Sequence, residues 1–237
     1  MQDEADYFED FWQASSLDQF NIQGFGALLG AYDSDEKNFG LSFPGVPTPL
    51  SKARSSLGKI AKKRTSQRAF TDAPISEKEL SQLLASFAYI DGPEHRTYPS
   101  AGATYCTEIF CVSFRAEKYE EQILYYDAES HRLVRVGKAP KWQEIKHTVN
   151  IEITGEPAAM LVLVSFPERA TAKYGERGAR FALLEAGAAM QQLALQIADS
   201  RSLKGVAVGG LFDDFWKQKL GLDKTKAHIV LGYLVGK

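Results

Sequence analysis

The sequence predicts an α+β domain, and three observations carry that expectation. Met160–Phe166 (MLVLVSF) is an unbroken apolar run of strand length. Phe181–Ala198 is a long segment with apolar residues at helical spacing. Short β-rich stretches surround these two, in neither the regular strand–helix alternation of a doubly wound sheet nor an all-β pattern. The 237 residues are 44% hydrophobic and 24% charged, which is enough to bury a sizeable core without disulfides or metal. A formal charge of −2 gives no overall attraction for nucleic acid or an anionic membrane.

Residues 1–55 read as an arm and linker preceding one domain over 56–237. Acids mix with Tyr7, Phe8, Phe11 and Trp12, and Pro44, Pro47 and Pro49 then favour extended backbone. Such an arm either packs on the body or reaches to a partner. Its acidic start lacks the basic region and apolar core of a signal peptide, and no apolar run is long enough to span a bilayer. A cytoplasmic location is expected, with neither nucleic acid nor membrane as partner. Gly24, Gly26 and Gly30 (GFGALLG) are one residue too widely spaced for a dinucleotide fingerprint and follow no strand, so a structural turn is expected.

In the main body, Ser76 with Glu79 forms a capping box ahead of Leu80, Leu83, Leu84 and Phe87, which predicts a short helix. Strands are expected at Thr107–Phe114, Ile123–Tyr126 and Leu133–Val136, with a turn over Asp127–Ser130. Met160–Phe166 should be a central strand buried on both faces. In the long helix, Phe181, Leu184, Ala188, Gln191 and Leu195 make one stripe, and Leu183, Gly187, Met190, Ala194 and Ile197 a second. A helix apolar on two sides should be buried from two sides. Gly205–Gly210 and His228–Val235 supply two further strands. Cys106 and Cys111 lie five apart on extended chain and point oppositely, which disfavours a disulfide. The four histidines add no metal-ligand spacing.

Four segments carry chemistry. Arg64 and Arg68, with Ser66 between them, could converge on one phosphate, because guanidinium forks and hydroxyls match its oxygens. Lys52, Arg54, Lys59, Lys62 and Lys63 either raise the potential there or form a solvated basic face. In Arg96–Gly102 (RTYPSAG), the small residues Ser100, Ala101 and Gly102 let backbone approach a planar ligand, or merely turn into the next strand. Lys173–Arg180 (KYGERGAR) sets a lysine beside a phenol, and partial burial with mutual proximity would make either a usable base. Gly209 and Gly210 end a strand, as a ligand-facing or ordinary turn.

In this order, the four segments resemble the FMN-dependent nitroreductase-like fold, and within it the SagB-type branch of azole-forming dehydrogenases. That branch includes the dehydrogenase subunits of azole-containing microcin and cytolysin synthetases. The resemblance spans about residues 60–237 and is most specific in Lys173–Glu185 (KYGERGARFALLE). It departs at Ala179, where an aromatic is usual, and after Tyr105, where a proline is usual.

The resemblance implies a central, mostly antiparallel sheet flanked by helices, in a homodimer with FMN at the subunit interface. Arg64, Ser66 and Arg68 would hold the FMN phosphate. Ser100, Ala101 and Gly102 would lie along the isoalloxazine edge, with Gln192, Gly209 and Gly210 at the ring or ribityl chain. Lys173 and Tyr174 match the proposed catalytic pair. The implied reaction oxidises azoline rings to azoles in a ribosomally made peptide, with electrons passing to oxygen and cyclodehydratase subunits as partners. The rival within this fold is an NAD(P)H-dependent nitro- or quinone reductase.

Overall fold

The computed structural model describes residues 7–31, 44–46, 48–51, 55–90, 92 and 95–237. Pro47, Lys52 and Arg54 lie outside the described residues. Three helices come first: α1 (Tyr7–Ser15), α2 (Ile22–Gly30) and α3 (Ser56–Ala61). The rest follows as α4 (Glu77–Leu84), β1 (Thr107–Ser113), β2 (Gln122–Asp127), β3 (Arg132–Lys138), α5 (Trp142–Ile145), β4 (Ala159–Ser165), α6 (Glu168–Tyr174), α7 (Arg177–Asp199), β5 (Lys204–Val208), α8 (Asp213–Lys219) and β6 (His228–Gly236).

The strands form one six-stranded sheet in the order β3-β2-β1-β4-β6-β5, with every neighbouring pair antiparallel. Helices cover both faces, so the α+β expectation holds. Strand alternation divides β4 between two cores. Leu161 and Leu163 pack with Leu80, Leu83, Leu84 and Phe87 of the α4 region and with Leu193 and Ile197 of α7. Met160, Val162 and Val164 pack on the other face with Trp142, Ile145, Trp216 and Leu220. The expected central strand is therefore buried on both faces.

Helix α4 begins with the expected capping box: Ser76 Oγ accepts from Glu79 N at 3.2 Å, and Glu79 Oε2 accepts from Ser76 N at 2.8 Å. Both cysteines are free and buried. The GFGALLG segment departs from expectation, forming α2 rather than a turn. Ile22, Phe25 and Leu29 recur at helical spacing despite a cost of about 1 kcal/mol for each interior glycine, and of these Ile22 and Phe25 are half-buried. Gly24 and Gly26 face open space.

The arm packs on the body through α1. The Phe8 and Trp12 rings contact His228 at 5.6 and 4.6 Å between centroids, and Glu9 reaches His228 Nε2 at 3.2 Å. Beyond α1, Leu17 N donates to the Asp213 carboxylate at 2.9 Å, and Asp213 N donates back to Leu17 O at 3.1 Å. Helix α7 departs from two-sided burial. Ala182, Ala186, Ala189, Leu193 and Ile197 face the core, whereas Leu184 on the first stripe is 69% exposed.

Glu79 also ties the chain's end to α4, accepting from Ser202 Oγ at 2.7 Å and from Lys237 Nζ at 3.0 Å. Burial alone would raise its carboxyl, but the bonds from Ser76, Ser202 and Lys237 outweigh that and hold it at about 2. A carboxyl depressed on folding stabilises fully above its ordinary 4.5, and this contribution is lost as pH falls through about 2. Glu79→Gln should therefore lower the urea midpoint at neutral pH and converge on the parent in acid. A gap that stayed constant with pH would remove Glu79 from this role.

Candidate functional site

The segment before β1 is built around a buried arginine. Arg96 is 7% exposed and donates to Tyr98 Oη and to Thr107 O, both at 2.9 Å. Its guanidinium also lies over the Tyr89 and Tyr105 rings at 4.6 and 5.0 Å. Burial pushes the Tyr98 hydroxyl up, so it stays neutral beside this cation. Arg96 is thus a structural anchor for the chain leading into Ser100.

Ser100 is fixed by Glu185, a carboxylate of α7 that is 3% exposed. Ser100 Oγ donates to Glu185 Oε2 at 2.5 Å, while Thr107 N donates to Glu185 Oε1 at 2.7 Å. The same Ser100 hydroxyl accepts from Tyr105 N at 2.9 Å. One buried acid therefore holds the small-residue turn, the first residue of β1 and α7 together. The sequence offered a hint of this in a carboxylate at the centre of an alanine-rich helix face.

Gly102 sits at the crest of that turn with φ +58, a conformation that favours glycine. Lys173 Nζ donates to Gly102 O at 3.2 Å. A Cβ at Gly102 would collide with Tyr174 Oη and lie 2.5 Å from Lys173 Nζ. Two segments separated by about seventy residues thus meet, with the lysine and phenol against the glycine backbone. Lys173 Nζ lies 5.6 Å from the Tyr174 ring centroid, and the Tyr174 ring meets Phe181 edge-on at 5.1 Å.

Helix α6 is clamped in position to deliver this pair. Arg169 Nη1 donates to Tyr105 O at 2.7 Å and to Glu108 Oε1 at 2.5 Å. A Cβ at Gly178 would collide with the Ala170 backbone, so only glycine lets α7 approach α6 this closely. Tyr174 is half-buried, but Lys173 is exposed. The partial burial that would make the lysine a usable base is not supplied by the described residues.

The phosphate-type donors are arranged differently from expectation. Arg64, Ser66 and Arg68 lie exposed on an irregular segment, and the two arginines border separate clefts. Arg64 lines a cleft of about 260 Å³ with Lys63, Arg201 and Lys204, and no acid among the described residues lines it. Arg68 opens on another of about 780 Å³ that includes Lys146 and Thr154. Arg201 and Lys204 were not singled out from sequence, where they were only two bases before a strand. Four cations with the hydroxyls of Thr65, Ser200 and Ser202 suit an anion such as a phosphate.

Gln192 is half-buried on α7, and its side chain makes no hydrogen bond among the described residues. Gly209 faces open space, whereas a Cβ on Gly210 would lie 2.9 Å from Asn150 Cβ, so Gly210 is a close-approach glycine. Ala101 is half-buried beside Gly102. Among the described residues, no cluster of His, Cys, Asp or Glu could hold a metal, and no helix is long and apolar enough to cross a membrane. This donor set, with an open glycine turn and a cationic cleft, fits a phosphate-bearing planar cofactor.

The fold and site define an oxidoreductase domain of the nitroreductase-like type. Residues 61–237 match the Nitroreductase family, and the chain belongs to it. Members of this family generally use flavin cofactors. The chain is 31% identical over 182 residues to a protein of Methanocaldococcus jannaschii that bears the name nitroreductase, covering 74% of this chain and 87% of that one. It is also 31% identical over 169 residues to the microcin B17-processing protein McbC of Escherichia coli. That match covers 67% of this chain and 61% of McbC.

Among solved structures, it is similar to a chain of the E. coli microcin synthetase McbBCD complex with truncated pro-MccB17 bound. The TM-score is 0.71 at 25% identity, over 94% of this chain and 83% of that one. A nitroreductase structure from Ralstonia eutropha shares the fold at a TM-score of 0.64 and 21% identity, over 81% of this chain and 87% of that one.

Glu185→Ala should lower stability by about 1–3 kcal/mol, because it leaves the Thr107 N–H buried without a partner. Chemical denaturation measures this, and an unchanged midpoint would show that the carboxylate does not hold the turn. Gly102→Val should cost about 1–3 kcal/mol through its left-handed backbone. It should also displace both Lys173 and Tyr174, which a crystal structure of the variant would reveal.

Proposed function

We propose that this chain is an FMN-dependent dehydrogenase that oxidises thiazoline and oxazoline rings to azoles in a ribosomally made peptide. The observation that carries this reading is the meeting of Lys173 and Tyr174 with Gly102, in a chain 31% identical to McbC. The similarity to a chain of a peptide-bound synthetase supports the same substrate class and supports cyclodehydratase subunits as partners.

Arg64, Ser66 and Arg68 hold the FMN phosphate in this reading, with Arg201 and Lys204 adding charge beside Arg64. Ser100, Ala101 and Gly102 border the isoalloxazine, and Gln192, Gly209 and Gly210 border the ring or ribityl chain. Bound FMN supplies a two-electron hydride acceptor that oxygen later reoxidises. Lys173 or Tyr174 accepts the proton from the ring carbon next to the carbonyl, which is the more acidic position. The Gly102 carbonyl fixes the lysine nitrogen, so the base is oriented before substrate arrives. A second copy of the chain covers the exposed Leu184 side of α7 and excludes water from the pair.

Purified protein should be yellow, and an azoline peptide should lose two hydrogens per ring by mass spectrometry. General-base help is typically worth about 10²- to 10⁴-fold. Lys173→Ala and Tyr174→Phe should lose activity on that scale while keeping the flavin spectrum. Arg64→Ala should lose the flavin itself. The M. jannaschii relative's name favours one other reading, a reductase using NAD(P)H. Rapid flavin bleaching by NAD(P)H with no ring oxidation would establish that reading instead.

A further inference from the structure

The N-terminal arm creates a groove that the family domain alone does not possess. Helix α1 lies outside the matched residues 61–237, yet its Tyr7, Phe8 and Phe11 form one wall of a cavity of about 540 Å³. The opposite wall is the start of α7, with Leu183, Arg177 and Arg180, and among the described residues Glu176 is the one carboxylate lining it. Neither Arg177 nor Arg180 makes an ion pair among the described residues. The groove is preformed, because contacts to His228 and Asp213 pin the arm on the body.

Its position suggests the occupant. The α7 wall begins at Arg177, three residues after Tyr174, and Phe181, which follows the groove residue Arg180, meets the Tyr174 ring edge-on. The groove therefore adjoins the catalytic pair without being the same site. A small substrate reacting at Lys173–Tyr174 leaves the groove empty. A polymer reacting there continues into it within a few residues, since extended chain advances about 3.3–3.6 Å per residue. Exposed aromatics beside two guanidiniums that no described carboxylate pairs match a segment with apolar side chains and a carboxylate.

We propose that this groove is a subsite for the peptide substrate, binding an apolar, acidic segment that flanks the reacting ring. This rests on the azoline-dehydrogenase reading above, which it deepens by giving the arm a substrate-binding role.

The test uses the full-length, flavin-loaded protein and two substrates. One is a fluorescein-labelled peptide with a single thiazoline flanked by leucine, phenylalanine and glutamate. The other is a short capped thiazoline too small to reach the groove. Phe11→Ser should raise KM for the long peptide about tenfold with kcat unchanged, and leave turnover of the capped ring unaltered. Phe11→Trp should restore the low KM. Arg177→Glu should weaken binding of the acidic peptide and strengthen binding of a lysine-substituted counterpart, read by fluorescence anisotropy. Equal kinetics for parent and Phe11→Ser on the long peptide would overturn the proposal. So would a change in sedimentation with Phe11→Ser, which would assign the groove to contact between copies. If the parent oxidises neither substrate, the dehydrogenase reading fails. Anisotropy still decides the groove in that case, with peptide binding that survives Phe11→Ser counting against it.

Discussion

The carboxylate of Glu185, removed from water inside α7, takes a hydrogen bond from the backbone of Thr107 and another from the Ser100 hydroxyl. Burying a carboxylate is costly unless such partners compensate, and here each partner belongs to a different element. The bond to Thr107 fixes β1 against α7, and the bond to Ser100 fixes the turn that presents Gly102. The position of the Gly102 carbonyl, and so of Lys173 Nζ, follows from this one group. Arg96 reinforces it from the other side by donating to Thr107 O. The first residue of β1 is thus held through both its N–H and its carbonyl by ionic side chains, outside the sheet's own ladder.

The same construction explains why the pair sits on α6 rather than on a loop. Arg169 holds the first turn of α6 to Tyr105 and Glu108, and Lys173 follows one turn later on the same helix. The Gly178 contact brings α7 against the same part of α6, at Ala170 and Thr171. Functional side chains carried on fixed elements keep their geometry more closely than those on mobile loops. The left-handed backbone at Gly102, Ala103 and Tyr105 is concentrated in the turn these contacts fix. Residues other than glycine keep that conformation only where surrounding bonds over-determine it.

Much of the fold was legible because it depends on local periodicity. The continuous apolar run of β4 and the capping box of α4 each record a single element's environment. Helix α2 was missed because glycines signal a turn only when no competing spacing exists, and Ile22, Phe25 and Leu29 supply one. The partnership of Gly102 with Lys173 and Tyr174 could be suspected from residue types, but its geometry depends on α6 and α7 packing through Gly178. The grouping of Arg64 with Arg201 and Lys204 was not legible, because it arises where the segment before Phe70 meets β5 through the Gln67 N to Gly205 O bond. Contacts between distant segments leave little trace in local pattern, and those contacts make up most of a site.

The described residues leave the proposed site open at three places. Lys173 is exposed, Leu184 lies bare on the helix that follows, and Arg64 and Arg68 border different clefts. Proton abstraction from carbon needs a base shielded from bulk water, and no described residue shields this one. In the proposed reaction that cover would come from a second copy of the chain. The two sides of α7 divide that task. Its inward side is consumed by the sheet, its Leu184 side is free for another subunit, and its first turns face α1 across the aromatic groove. A domain without the arm would lack one wall of that groove. The arm's fixed seat on His228 and Asp213 makes it part of the site's architecture rather than a tether.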